Sequence, residues 1–165
     1  MSSKKTSIIL CTYNEANYIK KSIQQLEKNI DNLELIVVDD NSSDNTREII
    51  NNLNDDKRIK LIHRQKSKGL ASAFLSGLIE SNGDYVGWID TNMSELVEKF
   101  KEMIEILKSD YDIVILSRYV EGGGDERQSL RSLSSKIFNS FCRLMLGSKI
   151  KDYTSGIFVM KRKVL

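Results

Sequence analysis

The chain has 165 residues, 40% of them hydrophobic and 29% charged, which predicts one soluble globular domain over 1–165. Its 25 basic and 23 acidic residues leave a net charge of only +2, which excludes nucleic acid as a partner by bulk electrostatics. Two distant cysteines (Cys11, Cys142) and the lone His63 exclude a CxxC-type zinc site; the polar start Met1–Lys5 and the lack of any run of about 18 apolar residues point to the cytoplasm.

Short apolar runs alternate with segments of helical period. Ser7 to Cys11 reads as a buried strand, and Ile19, Ile23, Leu26 and Ile30 follow at helical spacing. Leu33 to Val38 is a second strand, ending in the polar turn Asp39-Asp40-Asn41-Ser42-Ser43-Asp44. Ile49, Ile50 and Leu53 mark a helix, Ile59 to Ile62 a third strand, and Leu70, Phe74, Leu78 and Ile79 another helix. Tyr85 to Ile89 is a fourth strand and stops at Asp90. The stripe Leu96, Val97, Phe100, Met103, Ile104 and Leu107 is a helix with Ser94 as its expected N-cap. Ile113 to Leu116 is a fifth strand. Leu130, Leu133, Ile137, Phe138, Phe141 and Leu144 form an amphipathic helix, and Ile157 to Met160 a last strand. This alternation predicts an α/β fold with a mostly parallel sheet and helices on both faces.

In such sheets ligands bind beyond the carboxyl ends of the strands. Thr12-Tyr13-Asn14-Glu15 follows the first strand, Asp39-Asp40 the second, Asp90-Thr91-Asn92 the fourth and Ser117-Arg118-Tyr119 the fifth. Taken singly, the Asp-Asp pair reads as a helix cap, Tyr13 as a packing residue, Arg118 as a surface ion pair and His63 as a strand-end residue. Taken together, they suit a nucleotide diphosphate sugar. Carboxylates accept hydrogen bonds from a base or ribose, and Asp90 with its i+2 neighbour Asn92 would reach one Mg²⁺ or Mn²⁺ from an extended segment. Arg118 would add positive charge at the phosphates.

Cys11-Thr12-Tyr13-Asn14-Glu15, Val37 to Thr46, Lys68-Gly69-Leu70, Gly83-Asp84-Tyr85, Asp90-Thr91-Asn92, Ser117-Arg118-Tyr119 and Asp152-Tyr153-Thr154-Ser155-Gly156 occur in an order that resembles family 2 glycosyltransferases. The subgroup most similar is the dolichol-phosphate mannosyltransferases and related polyprenyl-phosphate glycosyltransferases. The resemblance implies a GT-A-type, Rossmann-like fold and transfer of a mannose- or glucose-type sugar from GDP-mannose or a UDP-sugar to a polyprenyl phosphate. It also implies that Tyr13 and Glu15 hold the nucleoside, with backbone contact from Cys11 and Val38, and that Asp40 binds base or ribose. Asp90, Thr91 and Asn92 would sit at the metal and diphosphate, with Asp90 and Arg118 as the catalytic pair. Lys68 would lie near the nucleotide, and Arg131 and Ser134 near the acceptor phosphate.

The sequence departs from the family at Asn92, where the metal motif has a second aspartate, and at Ser94, where relatives carry a glutamine. Ile157 and Phe158 stand where relatives have a basic residue, and the chain is expected to lack a C-terminal segment of its relatives. Two alternatives therefore stay open: a sugar-nucleotide-binding domain with weak or no catalysis, and transfer to a saccharide hydroxyl. The latter needs a general base, for which Asp125, Glu126 and Asp152 are the candidates. Arg127, Arg131, Lys136 and Arg143 share the amphipathic helix, and Lys149, Lys151, Lys161, Arg162 and Lys163 follow. That charge suits peripheral contact with the cytoplasmic face of a membrane; a core helix with a solvated face is the alternative.

Overall fold

The computed structural model describes residues 4–53, 57–66, 69–124, 129–147 and 150–165. They form strands β1 (Thr6–Thr12), β2 (Leu33–Asp39), β3 (Ile59–His63), β4 (Tyr85–Ile89), β5 (Ile113–Ile115) and β6 (Ile157–Lys161). The helices are α1 (Ile19–Asn29), α2 (Thr46–Asn51), α3 (Leu70–Glu80), α4 (Lys99–Leu107) and α5 (Ser129–Leu146), with a 3₁₀ turn at Thr91–Leu96. The six strands lie in the order β3-β2-β1-β4-β6-β5. β1 pairs in parallel with β2 and β4, β2 with β3, and β6 runs antiparallel to β4. The chain divides into two compact units, one of Met1–Val114 with Ile157–Leu165 and one of Ile115–Gly156.

β1 and β2 are buried along their whole length, which explains why they read as continuous apolar runs rather than as alternating ones. A Cβ on Gly77 of α3 would meet Ile9 Cγ2 at 2.6 Å and Val38 Cγ2 at 3.1 Å, so this helix lies tight on one face of the sheet. A Cβ on Gly87 of β4 would meet Ile8 Cδ1 at 2.8 Å and Phe100 Cε1 of α4 at 2.9 Å. Neighbouring strand residues point to opposite faces, so Ile8 and Ile9 mark the two sides and helices cover both.

One local expectation changes. Ser94 lies buried within the 3₁₀ turn and caps nothing with its side chain; α4 starts later, at Lys99, after Glu98. The apolar stripe of α5 is solvent-facing: Leu130 and Leu144 are 80% and 83% exposed. The one described α5 residue in the core is polar, Asn139.

The amino-terminal ends of the strands are locked by a carboxylate. Glu34 accepts from Lys5 Nζ at 2.8 Å, Ser7 Oγ at 2.5 Å and the Asn82 amide at 2.7 Å, with Lys60 Nζ 3.2 Å away. Burial alone would raise the Glu34 carboxyl, but these donors outweigh it and hold it down to about 2. Its folded value lies below the ordinary 4.5, so the stabilisation is present above pH 4.5 and disappears as pH falls towards 2. Glu34→Gln is expected to lower the unfolding free energy at pH 7 by about 2–3 kcal/mol. It should also flatten the acid limb of a urea-unfolding series; an unchanged limb would refute the assignment.

The carboxyl-terminal basic run is committed to the fold. Arg162 donates from Nε to the Gly83 carbonyl at 2.5 Å and from a terminal nitrogen to Ser81 Oγ at 2.7 Å, and Lys163 pairs with Asp112 at 2.8 Å.

Candidate functional site

The loops after β1 and β2 are sewn together by the side chains of the polar turn. Ser42 Oγ accepts the Asn14 amide at 2.9 Å, Thr46 Oγ1 the Glu15 amide at 2.9 Å and Asp44 Oδ2 the Ala16 amide at 3.2 Å. Asn14 Oδ1 in return accepts the Ser43 amide at 2.8 Å. Asn14 and Asn41 sit at φ 55° and 68°, the left-handed region that asparagine tolerates better than most residues. Thr46 holds Asp44 below the usual carboxylate range, so this clamp stays ionised under physiological conditions. The result fixes Tyr13, 55% exposed, and Glu15 at the strand end, so Tyr13 is not a packing residue. Asp44→Ala is expected to weaken the binding of a ligand at this strand end by about tenfold through loop disorder, at the scale of one or two lost hydrogen bonds. Calorimetric titration checks this; an unchanged Kd would remove the clamp's role.

The Asp-Asp pair divides its work because adjacent strand residues face opposite ways. Asp39 is fully buried and makes the turn: it accepts the Ser42 amide at 3.2 Å and Arg47 Nε at 3.1 Å, and His63 Nδ1 lies 2.8 Å away. Asp40 instead pairs with Arg64 at 2.9 Å and accepts the Gly69 amide at 3.0 Å. Arg64 also reaches Ser72 Oγ at 2.8 Å, joining the end of β3 to the start of α3.

Asp90 follows β4 in an extended conformation, with φ −68° and ψ 140°. Its carbonyl accepts the Met93 amide at 2.9 Å, so the chain turns immediately and Asn92 does not lie on an extended segment as the i+2 reading required. Thr91 Oγ1 donates to the Cys11 carbonyl at 3.2 Å, and Ser22 Oγ donates to the Thr91 carbonyl. Trp88 Nε1 donates to Asp90 Oδ1 at 3.1 Å.

Cys11, Thr12, Tyr13, Glu15, Asp40, Gly69, Leu70, Ala73, Asp90, Thr91 and Asn92 line one cleft of about 360 Å³ at the carboxyl ends of β1, β2 and β4. That is the place an open parallel sheet offers a ligand, and the size suits a small molecule. Burial raises the Glu15 carboxyl, and the negative charges of Asp90 and Asp44 raise it further. Burial, with Asp90 and Asp40 adding, pushes the Cys11 thiol up to about 12, which makes it an inert wall residue. Thr12, on the same wall, has a buried hydroxyl with no hydrogen-bond partner.

Val38 does not line the cleft. It is fully buried, in register with Cys11, and packs in the core against α3. Lys68, Asp125 and Glu126 lie outside the described residues, as does the side chain of Arg131. Ser134 is exposed on α5. Arg64 and Trp88 were missed from the sequence. The signals were present: Arg64 follows β3 on the same rim, and Trp88 stands two residues before Asp90.

The second unit holds its own network. Arg118 grips Asp152 with Nε and a terminal nitrogen, both at 2.8 Å, and also donates to the Thr154 carbonyl and Oγ1 at 2.7 Å. Burial opposes ionisation of Asp152, but the bonds from Arg118 and Thr154 prevail and hold its carboxyl below the usual range. A carboxylate so paired is a poor proton acceptor, which removes Asp152 as a general base. Its Oδ1 also accepts the Thr154 amide at 3.1 Å, closing a turn.

The family model for glycosyl transferase family 2 matches residues 7–165. The chain belongs to glycosyl transferase family 2. Among relatives of this family 2 chain, the dolichol-phosphate mannosyltransferase of Pyrococcus furiosus is 36% identical over 166 residues, covering 98% of this chain and 47% of that protein. The polyprenol monophosphomannose synthase of Mycolicibacterium smegmatis is 29% identical over 169 residues, covering 99% and 64%. The family 2 chain thus spans about half to two thirds of the length of these relatives. The crystal structure of Mycobacterium tuberculosis glucosyl-3-phosphoglycerate synthase, in complex with Mn²⁺, UDP and glucosyl-3-phosphoglycerate, superimposes with a TM-score of 0.74 at 20% identity. It covers 99% of this chain and 59% of that one and places the fold among the GT-A glycosyltransferases.

Proposed function

We propose that the cleft binds a nucleotide diphosphate sugar and that the chain transfers the sugar to a polyprenyl phosphate. The observation that carries this reading is the convergence of Tyr13, Glu15, Asp40, Asp90 and Asn92 on one cleft of about 360 Å³. The names of the two sequence relatives supply the mannose-type donor and the lipid phosphate acceptor.

The donor set fits Mg²⁺ or Mn²⁺. Asp90 would contribute a carboxylate and Asn92, from the turn that follows, an amide oxygen, both hard donors, and such ions share their coordination with phosphates. Glu15 adds negative charge next to Asp90, repulsion that a cation would relieve. The neighbour with a TM-score of 0.74 binds Mn²⁺ and UDP. When bound, the cation neutralises charge on the departing diphosphate. Tyr13 offers an exposed ring to the base, and Asp40 an acceptor for the ribose or base. Arg118 is held by Asp152 and Thr154, and a role at the phosphates rests on the family resemblance alone. The lipid phosphate oxygen is already an anion and needs no general base. It bonds to the anomeric carbon as the bond to the diphosphate breaks on the opposite face, so the product is inverted.

No described helix is long and apolar enough to cross a membrane. The exposed apolar side chains of α5, with Lys136 and Arg143, support peripheral contact at the cytoplasmic face. Asn92, in place of a second carboxylate, favours a second reading, a donor-binding domain with little turnover.

Titration with GDP-mannose, UDP-glucose and UDP-GlcNAc, with and without Mn²⁺, tests the proposal alongside transfer to dolichyl phosphate. Metal-dependent binding of one donor with transfer supports the enzyme; binding without transfer supports the second reading; no binding refutes both.

A further inference from the structure

Trp88 is the only tryptophan in the chain. Trp88 and Asp90 flank Ile89 on an extended stretch, so their side chains emerge on one side. The indole N–H reaches Asp90 Oδ1 at 3.1 Å. The ring itself is held from two other elements. Phe74 of α3 stacks on it with centroids 5.1 Å apart and planes at 22°, and Phe158 of β6 meets it edge-on at 5.8 Å. Phe74 and Phe158 pack on each other at 5.7 Å. Trp88 and Phe158 are also direct partners in the β4–β6 ladder. An indole so braced has one position, and its single donor holds one oxygen of the carboxylate.

We propose that Trp88 is a positioning residue: its indole N–H orients Asp90 for the divalent cation that the sugar diphosphate brings. This rests on the reading of Asp90 as a cation ligand. Partners that orient a ligand in this way alter metal affinity by about 10–100-fold. Asn92 carries no charge, so the orientation of Asp90 bears more of the cation's binding than it would in a two-carboxylate site.

Trp88→Phe retains an aromatic ring against Phe74 and Phe158 and deletes the donor together with part of the ring system. Free Mn²⁺ is counted by electron paramagnetic resonance in the presence of UDP or GDP, for the wild type, Trp88→Phe and Asp90→Ala. In parallel, Trp88 emission of the wild type is followed as Mn²⁺ or Mg²⁺ is added with the nucleotide. The expected result is at least tenfold weaker Mn²⁺ binding by Trp88→Phe, and a wild-type emission change that saturates with cation occupancy and is absent in Asp90→Ala. Wild-type affinity in a folded Trp88→Phe overturns the positioning role and leaves Asp90 as ligand. Emission that is blind to a cation counted as bound also overturns it, whether or not the variant folds. No Mn²⁺ bound by the wild type overturns the cation reading and this inference together.

Discussion

Under the proposed function, Asp90→Ala is expected to lower cation-dependent donor affinity at least about 100-fold and to abolish transfer. A bound metal supplies several kcal/mol of charge stabilisation at a phosphoryl oxygen, and about 2.7 kcal/mol corresponds to a hundredfold. Asp90 is the only carboxylate of the Asp-Thr-Asn segment, so Asn92 alone would have to hold the ion. The fold should survive. Asp90 is partly exposed at a strand end, and a hydrogen bond such as that from Trp88 is worth about 1 kcal/mol. Calorimetry of the donor with and without Mn²⁺ checks this. A variant whose donor affinity still responds to Mn²⁺ as the wild type does would sink the assignment of Asp90.

Asp152→Ala is expected to cost about 3–5 kcal/mol in unfolding free energy, the scale for removing one member of a buried ion pair. Asp152 is 1% exposed and accepts two side-chain bonds from Arg118, so its loss leaves a guanidinium with little access to water. The double variant Arg118→Met, Asp152→Leu should recover much of that stability, because it removes both charges rather than one. Urea unfolding measures both. The outcome also bears on the saccharide-hydroxyl alternative. A general base would give lost turnover with stability unchanged; a structural ion pair gives loss of stability. A cost under about 1 kcal/mol for Asp152→Ala would contradict the buried-pair account.

The strand ends were legible because they depend on local pattern. Runs of five or six mostly apolar residues closed by acidic or polar residues mark both the strand and the rim, so Tyr13, Glu15, Asp40, Asp90 and Asn92 could be named as one group. The pleat explains why the pair at the end of β2 could not be divided from sequence alone. Either aspartate could have faced the cleft until the register of β2 between β1 and β3 was known. The Asn92 geometry failed for a related reason: the period-2 argument holds only while the chain stays extended, and the carbonyl of Asp90 starts a 3₁₀ turn instead.

Sequence by itself determined the alternating α/β order, the rim on which a ligand site must sit and the family, because each follows from short-range periodicity and from motifs in chain order. Only the tertiary structure decided that Arg64 and Gly69 engage Asp40, that Trp88 braces Asp90, that Asp152 is the partner of Arg118 and that the apolar stripe of α5 faces solvent. Of these, the Asp40–Gly69 and Arg118–Asp152 contacts join residues 29 and 34 positions apart. Such pairings are fixed by how strands and helices pack, and helical period shows that a stripe is apolar without showing what, if anything, covers it.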